Sequence, residues 1–373
     1  MTSSPVLDVA VVGCGIIGVN HARAIARTPG LRLAAVVDDV PEAAQSLADL
    51  AAAELGTPRP AVHPDIESLP DGIRIVAICT PSGTHVELAE RALATGRHVV
   101  LEKPLDVSMD RGRRLAAIAE DAATRGLSVS VISQHRYDPG AMAVADAAHS
   151  GRFGRVTSAV ASVPWWRTQE YYDSGAWRGT WELDGGGALM NQGVHTVDLL
   201  LWYLGTPVEL YAQTALLAHD RVEVEDVAVA TLRFESGALA VLHATTAANP
   251  DQKVRLAVYG SAGSGIVESD QLALLAVDGD PADRRAEAVP EGHRFGDPKP
   301  GDDFILGHAR QYADIAEAVT TGRAPKVGVP EALLALAVVR GVYVSASTGA
   351  PVRIADVLDG SASDAAVRTG GAA

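Results

Sequence analysis

Sulfur and positive charge are both scarce in this chain of 373 residues. Only two cysteines occur, Cys14 and Cys79, which excludes a disulfide framework and any cysteine-rich zinc module; no metal is expected. Thirty-one Lys and Arg stand against 46 Asp and Glu, a net charge of −15, which argues against a nucleic-acid partner or an anionic membrane surface. No apolar run approaches the ~18 residues that a membrane span needs. The N-terminus lacks the basic-then-apolar pattern of a signal peptide and enters a strand-like run by Val6. Internal repeats are also missing. What remains is 47% apolar and 21% charged residues, the balance of an ordinary globular protein. At ~150 residues per domain the length suits two domains, each with a substantial core. A cytoplasmic, soluble, two-domain protein is expected.

The first 135 residues alternate short apolar runs with helical patterns. Strands are predicted over 9–12, 33–37, 73–79, 98–101 and 128–132, and helices over 17–27, 41–55, 87–94 and 109–123. Wholly apolar strands suit burial on both faces, and strand–helix alternation implies a parallel sheet covered by helices. After about residue 150, strand-like runs near 155–163, 208–217, 226–234, 238–246, 253–259 and 272–277 follow one another with turn signals between them. Glu235-Ser236-Gly237 reads as a tight hairpin. Helical stretches at 188–204, 303–320 and 330–346 complete an α+β pattern. The expectation is α/β overall: a dinucleotide-binding domain over 1–135, and a second domain over 136–360 with a large, mostly antiparallel, open-faced sheet. Residues 280–302 are expected to form a long loop, and the tail at 361–373 to be disordered.

Gly13-Cys14-Gly15-Ile16-Ile17-Gly18 has G-x-G-x-x-G spacing, follows an apolar strand and opens a helix. In a dinucleotide site such glycines make a tight turn, admit the pyrophosphate and let helix pack on strand. The helix start offers free N–H groups to phosphate. Asp38 stands twenty residues beyond Gly18 at the end of the second strand. A carboxylate there binds the ribose hydroxyls of NAD and repels the 2′-phosphate of NADP. Asp39 adds a second negative charge, and no Arg or Lys occurs between 33 and 58. A second match, Gly260-Ser261-Ala262-Gly263-Ser264-Gly265, lies between strands and reads as a hairpin turn. Thr80, Pro81 and His85 follow the strand ending at Cys79, where loops border the ligand crevice. They are read as cofactor contacts, although a turn with a helix cap explains the same letters.

Glu102-Lys103-Pro104 directly follows a buried strand, where a proline behind the lysine can fix a turn that points the ammonium into the crevice; Lys103 is read as a site lysine, although a solvated lysine also fits. Farther on, Asn191, His195 and Asp198 fall at i, i+4 and i+7 of an otherwise apolar helix. A polar stripe on a buried helix needs partners or a ligand, and a core histidine satisfied by backbone also fits. Trp165, Trp166, Tyr171, Tyr172, Trp177 and Trp181 are six of the chain's seventeen aromatics. Flat rings beside Arg167 and Arg178 suit a carbohydrate. At least half of the rings are expected in the core, with Trp166, Arg167 and Tyr172 as the site members. His308 and Tyr312 are further candidates on a later helix.

The glycine loop, Asp38, Glu102-Lys103-Pro104, Arg136 in Gln134-His135-Arg136-Tyr137 and the Gly-Gly-Gly…His195…Asp198 segment occur in one order. This ordered set resembles the glucose-fructose oxidoreductase / inositol dehydrogenase / MocA family, over residues 6 to about 355, and particularly its branch with a Met-Asn-Gln-Gly-x-His run. The resemblance implies an N-terminal Rossmann domain and an open C-terminal sheet that often forms a subunit interface, hence a homodimer or homotetramer. It further implies a carbohydrate or cyclitol substrate over the nicotinamide of NAD, with Glu102, Lys103 and Arg136 near the cofactor. Lys103 matches the catalytic or substrate-orienting lysine and His195 the acid/base histidine, with Asp198 beside it. Many inositol dehydrogenases carry Asp four residues before that histidine; here Asn191 removes the carboxylate. Lys103 is therefore expected to be the principal proton acceptor, beside a cationic nicotinamide that disfavours its charged form. The expected activity is hydride transfer between a secondary hydroxyl of a sugar, glycoside, sugar nucleotide or cyclitol and the nicotinamide. The family resemblance also admits a glycosidase working by transient oxidation, and a non-catalytic NAD-sensing regulator.

Overall fold

In a computed structural model, described over residues 6–362, six parallel strands form the first sheet: β1 (Leu7–Val12), β2 (Leu31–Val37), β3 (Ala61–His63), β4 (Ile73–Ile78), β5 (His98–Leu101) and β6 (Val129–Val131). Their order is β3-β2-β1-β4-β5-β6, which reverses direction between β1 and β4. That switch point is where open α/β sheets bind ligands. Val9, Val11, Val36, Ile75 and Val100 are fully buried or nearly so, as their unbroken apolar runs require. Helices α1 (Ile16–Ala26), α2 (Pro41–Glu54), α3 (His85–Ala94) and α4 (Met109–Thr124) connect the strands. Pro41 starts α2 at a position where its missing N–H costs nothing.

The second sheet has eight strands: β7 (Val156–Pro164), β8 (Pro207–Ala215), β9 (Val227–Phe234), β10 (Leu239–Thr245), β11 (Arg255–Gly260), β12 (Gly263–Glu268), β13 (Gln271–Ala276) and β14 (Val352–Arg353). Their order is β13-β12-β11-β7-β10-β9-β8-β14, antiparallel except between β10 and β7. The hairpin at 235–237 falls where the sequence places it, whereas of the 260–265 segment read as a turn only 261–262 turn, and Gly263-Ser264-Gly265 begin β12, a strand not foreseen. The remaining helices of the chain are α5 (Pro139–His149), α6 (Gln169–Asp173), α7 (Val194–Leu204), α8 (Arg285–Ala288), α9 (Asp303–Thr321), α10 (Val329–Thr348) and α11 (Ile354–Asp359), in chain order. Along β9 and β10 side chains alternate: Ala228, Ala230, Leu232, Ala240 and Leu242 are buried, while Val229, Leu239 and Val241 are exposed. Val160 pairs with Val241, and Tyr211 and Val241 both pair with Thr231, so one sheet face carries an uncovered apolar strip.

Two compact units emerge, and neither is one continuous segment. The first comprises residues up to 106 with 111–134 and 302–332; the second comprises 107–110, 135–301 and 333 onward. The single boundary at residue 135 therefore misplaces α9, whose Ile305, Tyr312 and Ile315 complete the core beneath α1 and β1. Periodicity reports that a helix has an apolar face and says nothing of which sheet receives it. The predicted loop at 280–302 contains α8, and α5 was not foreseen. The helix α10 is long and apolar enough to cross a membrane, yet 72% of its most apolar window is buried in the protein. Of the tail expected over 361–373, residues 363–373 lie outside the described residues.

Candidate active site

At the end of β1 the chain turns through Gly13 at φ +92°. A Cβ there would come within 2.8 Å of the Cys79 carbonyl. One on Gly18 would sit 2.0 Å from the Gly13 oxygen, so only glycine lets α1 pack this close to the strand. Gly15 differs: it is exposed and a Cβ there meets nothing within 4 Å. The space in front of it is open, and no side chain caps the start of α1. These features fit a dinucleotide pyrophosphate. Ile16 is 79% exposed beside this opening, and Ile17 is half-buried. Asp38 terminates β2, accepting the Cys14 N–H at 2.6 Å and the Val40 N–H at 2.9 Å. The carboxylate thus sets the shape of the glycine loop, and each oxygen keeps a lone pair for a ribose hydroxyl.

Thr80 and Pro81 remain accessible after β4, with the Thr80 hydroxyl 2.7 Å from that of Thr84. His85 does not. It is 1% exposed, and its ring nitrogens lie 2.9 and 3.0 Å from the carbonyls of Pro104 and Thr80. It ties two loops together instead of meeting the cofactor, because the first turn of α3 points inward.

Lys103 follows β5, half-buried, with a cis Lys103–Pro104 peptide. Its N–H donates to Glu102 Oε2 at 2.9 Å. Glu102 Oε1 accepts from His21 Nε2 at 2.9 Å, and the Tyr312 hydroxyl donates to His21 Nδ1 at 2.6 Å. Burial opposes charge on Glu102, but hydrogen bonds from His21 and His308 outweigh it and hold the carboxyl well below its usual range. Burial likewise keeps His21 below the ordinary histidine range. Glu102 is 6% exposed with both oxygens engaged, so the expected cofactor contact gives way to positioning of Lys103. His308 and Tyr312, expected at the substrate, are buried at 1% and 0% in this same cluster. The His21, Glu102 and His308 ligand atoms lie within 4.8 Å of one another; in this structure hydrogen bonds join Glu102 to His21.

In the second unit the glycine run ends in a π-helical turn, Ala188–Gly193, before α7 begins. A Cβ on Gly187 would lie 1.8 Å from the Glu225 carbonyl. The Glu225 carboxylate accepts the N–H groups of Gly187 and Leu189 at 2.8 and 2.9 Å and the Tyr343 hydroxyl at 3.0 Å. Burial pushes its carboxyl up to about 7. The wider π turn shifts the helical phase and breaks the expected stripe of three side chains. Asn191 donates to Asp184 Oδ1 at 2.8 Å. His195 is half-buried with its ring against His135. Asp198 is gripped by Arg136 through two bonds of 2.8 and 2.7 Å. Both side chains are under one-tenth exposed. Arg136 thus spends Nε and Nη2 on Asp198, and Asp198, with both oxygens held, does not stand as the free acid/base expected.

Of the six clustered aromatics only Tyr172 is buried, with its hydroxyl 2.8 Å from that of Thr246. The other five are half-buried. The expectation that at least half of the rings lie in the core fails, and the one buried ring is Tyr172, which was expected in the site, while Trp166 and Arg167 stay accessible. Arg167 stacks 4.8 Å over Trp165, and Arg178 lies 4.4 Å over Tyr171. Asp184, Glu225 and His135 were missed; Glu225 and His135 reach the turn and the helix bearing His195 from distant parts of the sequence, while Asp184 stands seven residues before Asn191.

A reversing parallel sheet with an open glycine cradle at its switch point defines a dinucleotide-binding protein. Residues 7–131 match the oxidoreductase family with an NAD-binding Rossmann fold, and 141–265 match the GFO/IDH/MocA C-terminal domain. Inositol 2-dehydrogenase of Rhizobium meliloti is 30% identical over 271 residues, covering 70% of this chain and 75% of that protein. Scyllo-inositol 2-dehydrogenase (NAD+) of Bacillus subtilis is 26% identical, covering 92% and 95%. The solved WlbA dehydrogenase of Bordetella pertussis, in complex with NADH and UDP-GlcNAcA, superposes with TM-score 0.80 at 30% identity over 95% of this chain and 99% of that one. The chain belongs to the Gfo/Idh/MocA family and is an NAD-binding oxidoreductase.

Proposed function

We propose that this chain transfers a hydride between a secondary hydroxyl of a cyclitol, sugar, glycoside or sugar nucleotide and the nicotinamide, with Lys103 as the proton acceptor in oxidation and His195 orienting the hydroxyl or relaying its proton. The observation that carries the substrate class is the half-buried aromatic stretch at 165–181 with Arg167 and Arg178 stacked on it. Such a surface offers apolar faces to ring C–H groups and guanidinium forks to oxygens. Relatives named for inositols and one bound to a nucleotide sugar support the same class. When bound, NAD supplies the hydride acceptor. Gly13, Gly15, Ile16, Ile17 and Gly18 would cradle its pyrophosphate, with Asp38 at the ribose and Thr80 and Pro81 along the crevice. Trp166, Arg167 and Asn191 would border the substrate. We further propose a cytoplasmic location, in which the thiols of Cys14 and Cys79 would stay reduced. A panel of inositols, aldoses, glycosides and UDP-amino sugars, followed by NADH absorbance, tests the reading. Free sugar from a glycoside without net NADH would identify the glycosidase cycle. NAD binding with no turnover on any member would identify a sensor.

NAD should be preferred over NADP, because Asp38 stands at the ribose edge and Asp39 adds charge. Asp38→Ala should narrow the preference mainly through KM for NAD. An equal or better kcat/KM with NADP in the native chain contradicts the assignment.

The apolar strip of Val160, Tyr211, Val229, Leu239 and Val241 is proposed to pair with a second copy, giving a homodimer or homotetramer. A sheet face this apolar is more often an interface than a solvated surface. Light scattering at micromolar concentration should report an oligomer, and Val241→Lys should weaken it. A native monomer would count decisively against the interface.

A further inference from the structure

Within the first unit, away from the glycine cradle, lies a cavity of about 380 Å³. That is the size of a small-ligand pocket, and close-packed interiors rarely leave so large a space unfilled. It sits by the amino ends of β5 and β6, walled by α4, the end of α9 and the start of α10. The dinucleotide crevice belongs to the opposite, carboxyl ends of the strands. Ala116, Ala119 and Ala123 recur on one face of α4, and with Leu127, Val129 and Val329 they make the walls mostly apolar.

His98, the first residue of β5 and only 5% exposed, is part of this lining. The backbone N–H of Ser128 donates to its Nδ1 at 3.1 Å, and the Ser128 hydroxyl oxygen lies 3.0 Å from the same nitrogen. Nδ1 is thereby the acceptor, and the ring proton resides on Nε2. Burial, and after it the Arg74 charge, push His98 down to about 4, so the ring is neutral at neutral pH. Among the described residues Nε2 has no hydrogen-bond partner, and it is not sealed from the surface. A nearly buried N–H of this kind calls for an acceptor, and the cavity is where one would stand. Two carboxylates also line it: Glu120, which is exposed, and the half-buried Glu331, whose Oε2 accepts the Gly328 N–H at 2.9 Å. Arg323 lines it as well, but spends Nη2 on Asp314 and Glu317 and Nη1 on the Ala324 carbonyl.

We propose that this cavity is a binding site for a compact, uncharged molecule with a ring body and an amide, whose carbonyl accepts from His98 Nε2–H and whose N–H groups face Glu120 and Glu331. An anion is disfavoured, because a neutral imidazole leaves its charge uncompensated and the two carboxylates repel it. The site takes no part in the reaction proposed above.

Phenylacetamide is the probe, with phenylacetate as its anionic counterpart, added to the full chain with and without saturating NADH. Proton–nitrogen correlation NMR follows the His98 Nε2 resonance, assigned by its loss in His98→Asn. The amide should shift it with a Kd in the roughly millimolar range expected of so small a ligand. NADH should leave that Kd unchanged, and phenylacetate should bind at least about tenfold more weakly. Asparagine can place its amide oxygen where Nδ1 was, keeping the Ser128 bond while deleting the Nε2 donor. Ligand-observed NMR should therefore show the amide bound about three- to tenfold more weakly by His98→Asn. Ala119→Trp fills the cavity and should abolish binding. NADH fluorescence confirms that each variant is folded; Ala119→Leu replaces a Trp variant that is not, and the cavity-filling variant and phenylacetate decide if His98→Asn is not. An unmoved His98 resonance, displacement of the amide by NADH, equal binding of phenylacetate, or native affinity in either folded variant overturns the inference.

Discussion

Lys103→Met should lower kcat by roughly 10²–10⁴, the usual cost of removing a positioned acid/base, with the Kd for NAD changed only a few-fold. The two effects separate because the backbone at this corner is held by groups other than the ammonium. Glu102 accepts the Lys103 N–H, His21 anchors Glu102, and His85 binds the Pro104 carbonyl. Methionine keeps the length and the apolar stem while deleting the proposed proton acceptor. The pyrophosphate cradle at Gly13–Gly18 is a separate piece of backbone, so nucleotide affinity should survive. His195→Asn should lose less than Lys103→Met, since asparagine still orients a hydroxyl. Steady-state kinetics with a turned-over polyol, beside a fluorescence titration with NADH, make the comparison. If the histidine variant is the more damaged in kcat, the roles of the two residues are reversed.

The features legible in the sequence are those whose partners lie close along the chain or whose type is dictated by backbone space. Gly13 and Gly18 could be read because no other residue fits where β1 meets α1. Asp38 was legible because a strand end projects it beside that loop. Five of the six parallel strands announced themselves by being apolar on both faces, and β9 and β10 by their hairpin; β3, three residues long and none of them buried, was not foreseen. The buried polar contacts were not legible. His21 and Glu102 are separated by 81 positions, and Tyr312 stands 291 positions from His21. Only the folded sheet brings α1, β5 and α9 together, so His308 looked like a ligand contact when it is a core histidine. The π turn at 188–193 is likewise invisible to a pattern search that assumes 3.6 residues per turn. Once the phase shifts, three polar side chains expected on one stripe take three different partners. Tyr172 shows the same limit: ring type points to a sugar, but exposure decides which ring is available.

Asp198→Asn should act on stability before it acts on chemistry. As a member of the catalytic stripe, Asp198 would be expected to show its loss in kcat with an unchanged Tm. The structure instead has both its oxygens held by Arg136, with the two side chains 8% and 9% exposed. Removing one partner of a buried pair leaves the other charge without compensation, typically at a cost of about 3–5 kcal/mol. The Arg136 guanidinium also lies 5.6 Å from the Trp202 ring, so its displacement would disturb the packing of α7 on the 134–137 turn. Thermal and urea unfolding should therefore show a large drop in Tm and in midpoint for Asp198→Asn. At a temperature where the variant is folded, kcat should fall far less than in Lys103→Met. Arg136→Met should destabilise by a similar amount, and the double variant Asp198→Leu with Arg136→Met should recover much of the loss, because an apolar pair of similar volume leaves no charge stranded. A kcat loss of 10²-fold or more with native stability would return Asp198 to the acid/base machinery and make the Arg136 pair a means of tuning it.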